Sequence, residues 1–276
     1  MRPWLLALTL LALTLVACTP DPPADAGTDA SADIDAGADA TTDAATDAAT
    51  DAATDAGADA ASPRVLVFSR TTGYRHDSIA DGITALGELA ADRGWTLEAT
   101  EDPARITALG DVDVVVFLST TGDPLDDAQQ TALEAFVRAG GGWVGVHAAA
   151  DCEYDWPFYG ELVGAWFARH PAIQPATYLV EDRAHPATAH LGTTWMRTDE
   201  HYDFQRNPRS DVRVLMTIDE ASYDGGGMGA DHPVTWAHEV GAGRSFYTAL
   251  GHTRESFGEP AFRALLGGAI EWASGR

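Results

Sequence analysis

Residues 140–151 run through three glycines, Trp143, Val144, Gly145, Val146, His147, three alanines and Asp151. Glycine accepts positive φ, so the triplet stops a preceding helix. Trp143, Val144 and Val146 then read as a short buried strand, and the alanines after it leave room for a ligand or a crossing backbone. A strand ending in small residues that carry an imidazole and a carboxylate is the local form of an open α/β sheet. In such sheets sites lie just beyond the carboxyl ends of the strands. His147 is therefore expected to mark a site.

The neighbouring segments repeat the unit. Val65, Leu66, Val67 and Phe68 make 64–69 a buried parallel strand. Ile79, Ile83, Leu86 and Leu89 lie at helical spacing behind Asp77 or Ser78, either of which can cap the helix. Strands are expected over 95–100 and 112–118, and a helix over 126–139 leads into the glycine stop. Further on, a helix over 161–168, strands over 177–180, 212–218, 234–238 and 244–250, and a closing helix over 260–273 are predicted. Strands alternating with helices call for a mostly parallel sheet with helices on both faces, here one domain over 63–276.

The first residues differ in kind. Arg2 precedes an apolar run from Trp4 to Ala17 that is too short to span a bilayer and reads as a signal peptide over 1–18. Leu15, Val16, Ala17 and Cys18 resemble the bacterial lipobox. That resemblance implies lipidation of Cys18 and an extracytoplasmic domain anchored to a bacterial membrane. Thr19 rather than Asp follows the cysteine, which by the same resemblance implies the outer membrane. Residues 19–62 have almost nothing to bury, with Asp39, Asp43, Asp47, Asp51, Asp55 and Asp59 stacking like charges every fourth position. They read as a disordered, self-repelling tether.

With the tether's 11 aspartates and Arg2 set aside, 31 acidic residues face 16 arginines. A domain this acidic, with no basic stripe, argues against nucleic acid as a partner. There is no lysine, which excludes a Schiff-base lysine and a P-loop. With Cys18 assigned to lipid, Cys152 has no partner for a disulfide. No motif bears on the oligomeric state.

The chain resembles the ThuA-like (trehalose utilisation) family over residues 64–274. The match rests on the segment Gly73, Tyr74, Arg75, His76, Asp77, Ser78; the glycine stretch to His147; Trp156, Tyr159 and Gly160; His170-Pro171 and His185-Pro186; Asp199-Glu200; Tyr223, Gly225, Gly226, Met228, Gly229, Asp231, His232 and Pro233; and Gly243, Arg244, Tyr247, Gly251 and His252. The resemblance implies a flavodoxin-like fold related to class I glutamine amidotransferases. It also implies a carbohydrate or carbohydrate-derived small molecule as substrate, in trehalose-like or oxidised disaccharide metabolism. Where the family commonly has Trp after the Asp-Glu pair, this chain has His201, which either adds a ligand or replaces a ring. The amidotransferase relatives carry a cysteine nucleophile in the turn where His147 stands, and Cys152 lies five residues later. Thiolate chemistry is therefore not expected.

His76, His147 and His252 each follow a strand, so parallel strands bring them to one rim. Asp151, His170, Asp199, Glu200 and His232 can reach the same cleft from later loops. Imidazoles among carboxylates suit general acid/base work or a divalent metal, for which His76, His147, His170 and His252 are the candidate ligands. His147, His76, Glu200 and Asp199 are the candidate catalytic residues. Tyr74, Asp151, Trp156, Tyr159 and His232 are the candidate substrate contacts, with Tyr202 a further platform for a sugar ring. His185, His190 and His238 are expected to be structural or at the surface. The competing class is a non-catalytic sugar-binding module on the same tether.

Overall fold

The computed structural model describes residues 62–275. The signal segment 1–18, the lipidation site Cys18 and, except for Ser62, the tether 19–62 lie outside the described residues. Among those residues no helix is long and apolar enough to cross a membrane.

Five parallel strands make the centre: β1 (Arg64–Phe68), β2 (Thr96–Thr100), β3 (Val114–Leu118), β4 (Gly142–Val146) and β11 (Gly243–Thr248), in the order β2-β1-β3-β4-β11. Every residue of β3 and β4 is buried, as near-continuous apolar runs require when both faces of a strand are covered. Helices α1 (Ile79–Arg93), α2 (Asp127–Arg138), α3 (Pro157–Val163) and α4 (Pro260–Ala273) connect and flank them.

The two faces follow from side-chain alternation. Phe117, Trp143 and Tyr159 of α3 meet on one face. On the other, α1 lies over Leu118 and α4 brings Phe262 to Val146 and Gly251. Gly145 is needed beside Trp143, because a Cβ there would overlap the indole. α2 starts where the sequence places it, through a capping box in which Asp126 Oδ1 accepts from the Gln129 N–H and Gln129 Oε1 from the Asp126 N–H, both at 2.9 Å. It ends at Ala139, followed by Gly140 at φ 115°. At α1, Ser78 holds the cap position, but its hydroxyl donates to the Gly251 carbonyl instead of capping.

Beyond β4 the pattern departs from the expectation. The helix expected over 161–168 is α3, shifted toward the N-terminus, because Pro157 is favoured at a first turn and Gly164 at φ 87° stops the helix. Phe167–Arg169 is then β5, which pairs antiparallel with β8 (Asp203–Phe204) in a separate two-stranded ribbon. β7 (Thr194–Asp199) is a further strand that the sequence pattern does not announce. With β6 (Gln174–Val180), β9 (Arg213–Ile218) and β10 (Pro233–Val240) it extends the sheet by four antiparallel strands in the order β11-β10-β9-β6-β7. The flavodoxin-like α/β fold is thus present, with a parallel half that sets the rim and an antiparallel half beside it.

Candidate functional site

The rim is built from strand ends. β1, β3, β4 and β11 are neighbours and parallel, so the segments leaving β1, β4 and β11 emerge together. At the end of β4 the backbone turns sharply: His147 adopts φ 51°, and Ser119 after β3 adopts φ 50°. A non-glycine residue held there costs of order 1–3 kcal/mol, and such strain concentrates at functional sites. The Tyr247 hydroxyl fixes the turn by donating to the His147 carbonyl at 2.8 Å. The alanines that follow are wholly buried and leave no room for a ligand.

The Nδ1 of His147 lies 2.8 Å from the Ala249 carbonyl, which can only accept. Nδ1 therefore carries a proton, and Nε2 is the atom turned toward the other side chains. That Nε2 lies 3.0 Å from His252 Nδ1 and 3.5 Å from Glu200 Oε2, and His252 Nδ1 lies 3.0 Å from the same carboxylate. His76 closes the group, its ring meeting those of His147 and His252 edge-on at 4.8 and 5.1 Å. One donor from each of these four residues lies within 4.8 Å of the others.

The electrostatics suit a cation. Burial, then the neighbouring His147 and His252, push His76 down to about 3, so its ring is neutral. Burial raises the Glu200 carboxyl, but hydrogen bonds to His147 and His252 outweigh it and hold the group well below the usual carboxylate range. Burial likewise works against a charged His252, yet the Glu200 hydrogen bond dominates and raises it. A neutral His76 and an ionised Glu200 are forms that a divalent metal takes as ligands, while the raised His252 would have to release its proton to join them. His76 Nδ1 is buried with no hydrogen-bond partner, as a ligand atom awaiting a cation would be. Donors about 2.0–2.2 Å from one ion sit roughly 3.0–3.5 Å apart, which is the spacing of the three donor pairs among His147, His252 and Glu200.

Asp199 does not reach the cleft. It is wholly buried at the end of β7, where its carboxylate accepts from the N–H groups of Gly251 (2.9 Å), His252 (3.1 Å) and Glu200 (3.0 Å). Arg197 pairs with it at 3.2 Å, the guanidinium lying 4.8 Å from the ring centroids of both Trp195 and Phe262. Asp199 thus holds the backbone of two of the four converging residues rather than handling a proton.

Outside the four donors lies a cavity of about 340 Å³ lined by Tyr74, His76, Asp151, Phe167, His170, Glu200, Tyr202 and His252. Tyr202 stands 4.4 Å from His147 and 4.3 Å from Phe167, ring to ring, and makes the inner wall. Tyr74 is the exposed lip, packed edge-on against His76. Burial raises the Asp151 carboxyl, and the Tyr154 hydroxyl donates to it at 2.7 Å. His170 falls outside the four-donor group: its Nδ1 faces Glu200 Oε1 at 3.0 Å and the Pro171 carbonyl at 2.9 Å. Both are acceptors, so Nδ1 is protonated and Nε2 is the free atom.

Three expected substrate contacts lie elsewhere. Tyr159 is wholly buried and donates to the Ala149 carbonyl, and the half-buried Trp156 stacks on it at the edge of the core. His232 sits in a separate buried cluster with Asp203 and Glu220. His201 replaces a ring: it is buried between the Tyr178 hydroxyl and the Gln174 carbonyl. Cys152 is buried, and burial raises its thiol well above the ordinary value, in keeping with an inert sulfur. His185 is buried against Trp272, while His190 and His238 bond backbone carbonyls, all away from the pocket. Sequence reasoning missed Phe167, because it fell inside the helix expected over 161–168.

Comparison with known proteins agrees with this picture. The family profile described as ThuA, trehalose utilisation, matches residues 64–273. A crystal structure of a ThuA-like protein from Bacteroides uniformis superposes with a TM-score of 0.65 at 26% identity, covering 78% of this chain and 93% of the other. One from Parabacteroides merdae gives 0.66 at 20% identity, covering 77% and 90%. No functionally curated protein matches the chain in sequence.

Proposed function

Because the chain belongs to the ThuA, trehalose-utilisation family, we propose that its rim pocket binds and transforms an uncharged disaccharide such as trehalose or an oxidised relative. In this reading a divalent metal is held by His76, His147, His252 and Glu200. The observation that carries it is the convergence of four metal-competent donors at the floor of an aromatic-walled cavity.

When bound, the cation supplies Lewis-acid stabilisation of negative charge developing on a sugar or water oxygen. The protein's own groups do the rest. His170 accepts a proton at Nε2 from a substrate hydroxyl or water, while Glu200 Oε1 and the Pro171 carbonyl hold its Nδ1–H and fix the ring. Asp151, steadied by Tyr154, takes a sugar hydroxyl, and the faces of Tyr74, Phe167 and Tyr202 take the C–H faces of the rings. No arginine lines the cavity, and the chain has no lysine, which favours an uncharged over a phosphorylated sugar.

We also place the domain outside the cytoplasm, lipid-anchored through Cys18 on the 19–62 tether. The apolar run to Ala17 and the lipobox-like ending support this. Elemental analysis of the purified chain, calorimetry with trehalose and related disaccharides, and product analysis on any binder form the test. Stoichiometric metal with turnover supports the proposal. Tight binding without product would make the protein a sugar receptor, and absence of metal after reconstitution would overturn the centre.

A further inference from the structure

The glycine loop 224–230 and the cluster of Asp203, Glu220 and His232 take no part in the pocket itself, yet they meet its wall. Tyr202 has its ring against His147 and its carbonyl 2.8 Å from His232 Nε2. The other nitrogen of His232, Nδ1, lies 2.9 Å from Glu220 Oε1. A carbonyl only accepts, and Glu220 Oε1 already accepts from the Met228 N–H at 2.7 Å. Nε2 therefore carries a proton for the Tyr202 carbonyl, while Nδ1 faces Glu220 Oε1 and, at 3.3 Å, the Tyr223 hydroxyl, and the ring has no exposed surface. Asp203, its Oδ1 3.9 Å from Nε2, supplies a second negative charge, and Arg169 pairs with Asp203 at 2.5 Å. Asp203 is buried and Glu220 partly so, while the Arg169 side chain that pairs with Asp203 stays half-exposed at the edge of the cluster.

What this cluster ties together is the aromatic wall. Arg169 is on β5 and Asp203 on β8, the ribbon from which Phe167, His170 and Tyr202 reach the cavity. The same carboxylates capture the glycine loop, Asp203 Oδ1 accepting from the Gly227 N–H at 3.2 Å and Glu220 from Met228. Met228 Sδ in turn accepts from the Phe204 N–H at 3.2 Å. Only glycine allows so close an approach: a Cβ at Gly226 would stand 2.6 Å from the Glu220 carboxyl carbon, and one at Gly227 2.6 Å from Asp203 Oδ2.

We propose that His232 is a positioning residue: clamped between Glu220 and the Tyr202 carbonyl, it latches the wall formed by Phe167, His170 and Tyr202 against the histidine cluster. The role of that wall rests on the pocket reading given above. The latch itself is a matter of hydrogen bonding, and removing either partner leaves buried polar atoms unsatisfied.

The test uses the full chain with His232→Gln, Glu220→Gln and the double variant, zinc ion and trehalose being the probes. Amide exchange over 166–170 and 202–205 should quicken at least tenfold in each single variant. It should be no faster in the double variant than in the worse single one, because both remove one link. Zinc affinity should stay within about threefold of the parent, while the trehalose Kd rises tenfold or more. Exchange unchanged within twofold, or single effects that multiply in the double variant, would overturn the latch. Should His232→Gln fail to fold, Glu220→Gln carries the same comparison with the parent. A parent chain that takes up no zinc and no trehalose would refute the pocket reading instead, and the exchange data would still decide the latch.

Discussion

Replacing Asp199 with Asn separates a group that moves protons from one that holds others in place. The side chain keeps its shape but loses its charge, and one of two acceptor oxygens becomes an N–H donor. Whichever way the amide lies, it turns donors toward donors, since Gly251 and His252 present N–H groups at 2.9 and 3.1 Å to the two oxygens. The guanidinium's other polar contacts are the Ser256 hydroxyl, to which Nη2 donates at 2.6 Å, and the part-exposed Glu259 at 3.5 Å, while its Nε and Nη1 have no hydrogen-bond partners, so Asp199 is its one fully buried anion among the described residues. Breaking a buried ion pair costs about 3–5 kcal/mol, and with Glu259 partly compensating the lower figure applies, about 3 kcal/mol. At about 2–4 °C per kcal/mol for a domain of this size, Tm should fall by roughly 6–12 °C. Loss of a partner that orients metal ligands costs about 10–100-fold in affinity, so zinc binding should weaken by that much. Urea unfolding and zinc titration of the variant measure both. A loss below about 1 kcal/mol with unchanged zinc affinity, accompanied by loss of turnover, would refute the argument and return Asp199 to proton transfer.

Other substitutions probe the site and its supports. His147→Ala should leave the chain folded, with a Tm within a few degrees of the parent as its ring makes one protein hydrogen bond besides the cluster, yet abolish zinc uptake by elemental analysis. Tyr74→Ala, at an exposed lip, should weaken trehalose binding about tenfold by calorimetry with stability within about 0.5 kcal/mol. Glu153 is pushed up to about 7 by burial, the Leu125 N–H and Gln130 opposing and Asp123 adding to the rise, from an ordinary 4.5. A folded value above the unfolded one means that ionisation opposes folding: the cost is absent below about pH 4.5, grows toward pH 7 and persists above it. Glu153→Gln should remove about 2–3 kcal/mol of that fall in stability between pH 5 and pH 8, read from urea unfolding across that range.

The convergence of His76, His147 and His252 was legible because it needed only two things from the sequence. Each histidine follows an apolar run, and runs alternating with helices imply parallel neighbours whose ends share a rim. Closing helix α4 was legible for a similar reason, with Pro260 at its start and an apolar stripe to Ala273. Aromatic residues gave no such handle. Tyr74, Trp156 and Tyr159 are chemically alike in a sequence, and a ring that lines a pocket differs from one that fills a core only in direction. The first is the exposed lip and the last is wholly buried.

The adjacent pair Asp199 and Glu200 makes the same point more sharply, because strand parity decides between them. Along β7, Trp195, Arg197 and Asp199 turn toward the protein, and Thr194, Met196 and Thr198 turn to solvent. Asp199 is the last inward position, which drives its carboxylate beneath the loop that carries Gly251 and His252. Glu200 lies one residue past the strand, free of its alternation, and reaches the imidazoles. Deriving this from sequence requires knowing that 194–199 is a strand. Its outward Thr, Met and Thr and its inward Arg and Asp hide the apolar alternation by which strands are recognised. The residues that obscure the strand, Arg197 and Asp199, are the pair that anchors His252, so the part of the sequence hardest to read as structure is the part that supports the site.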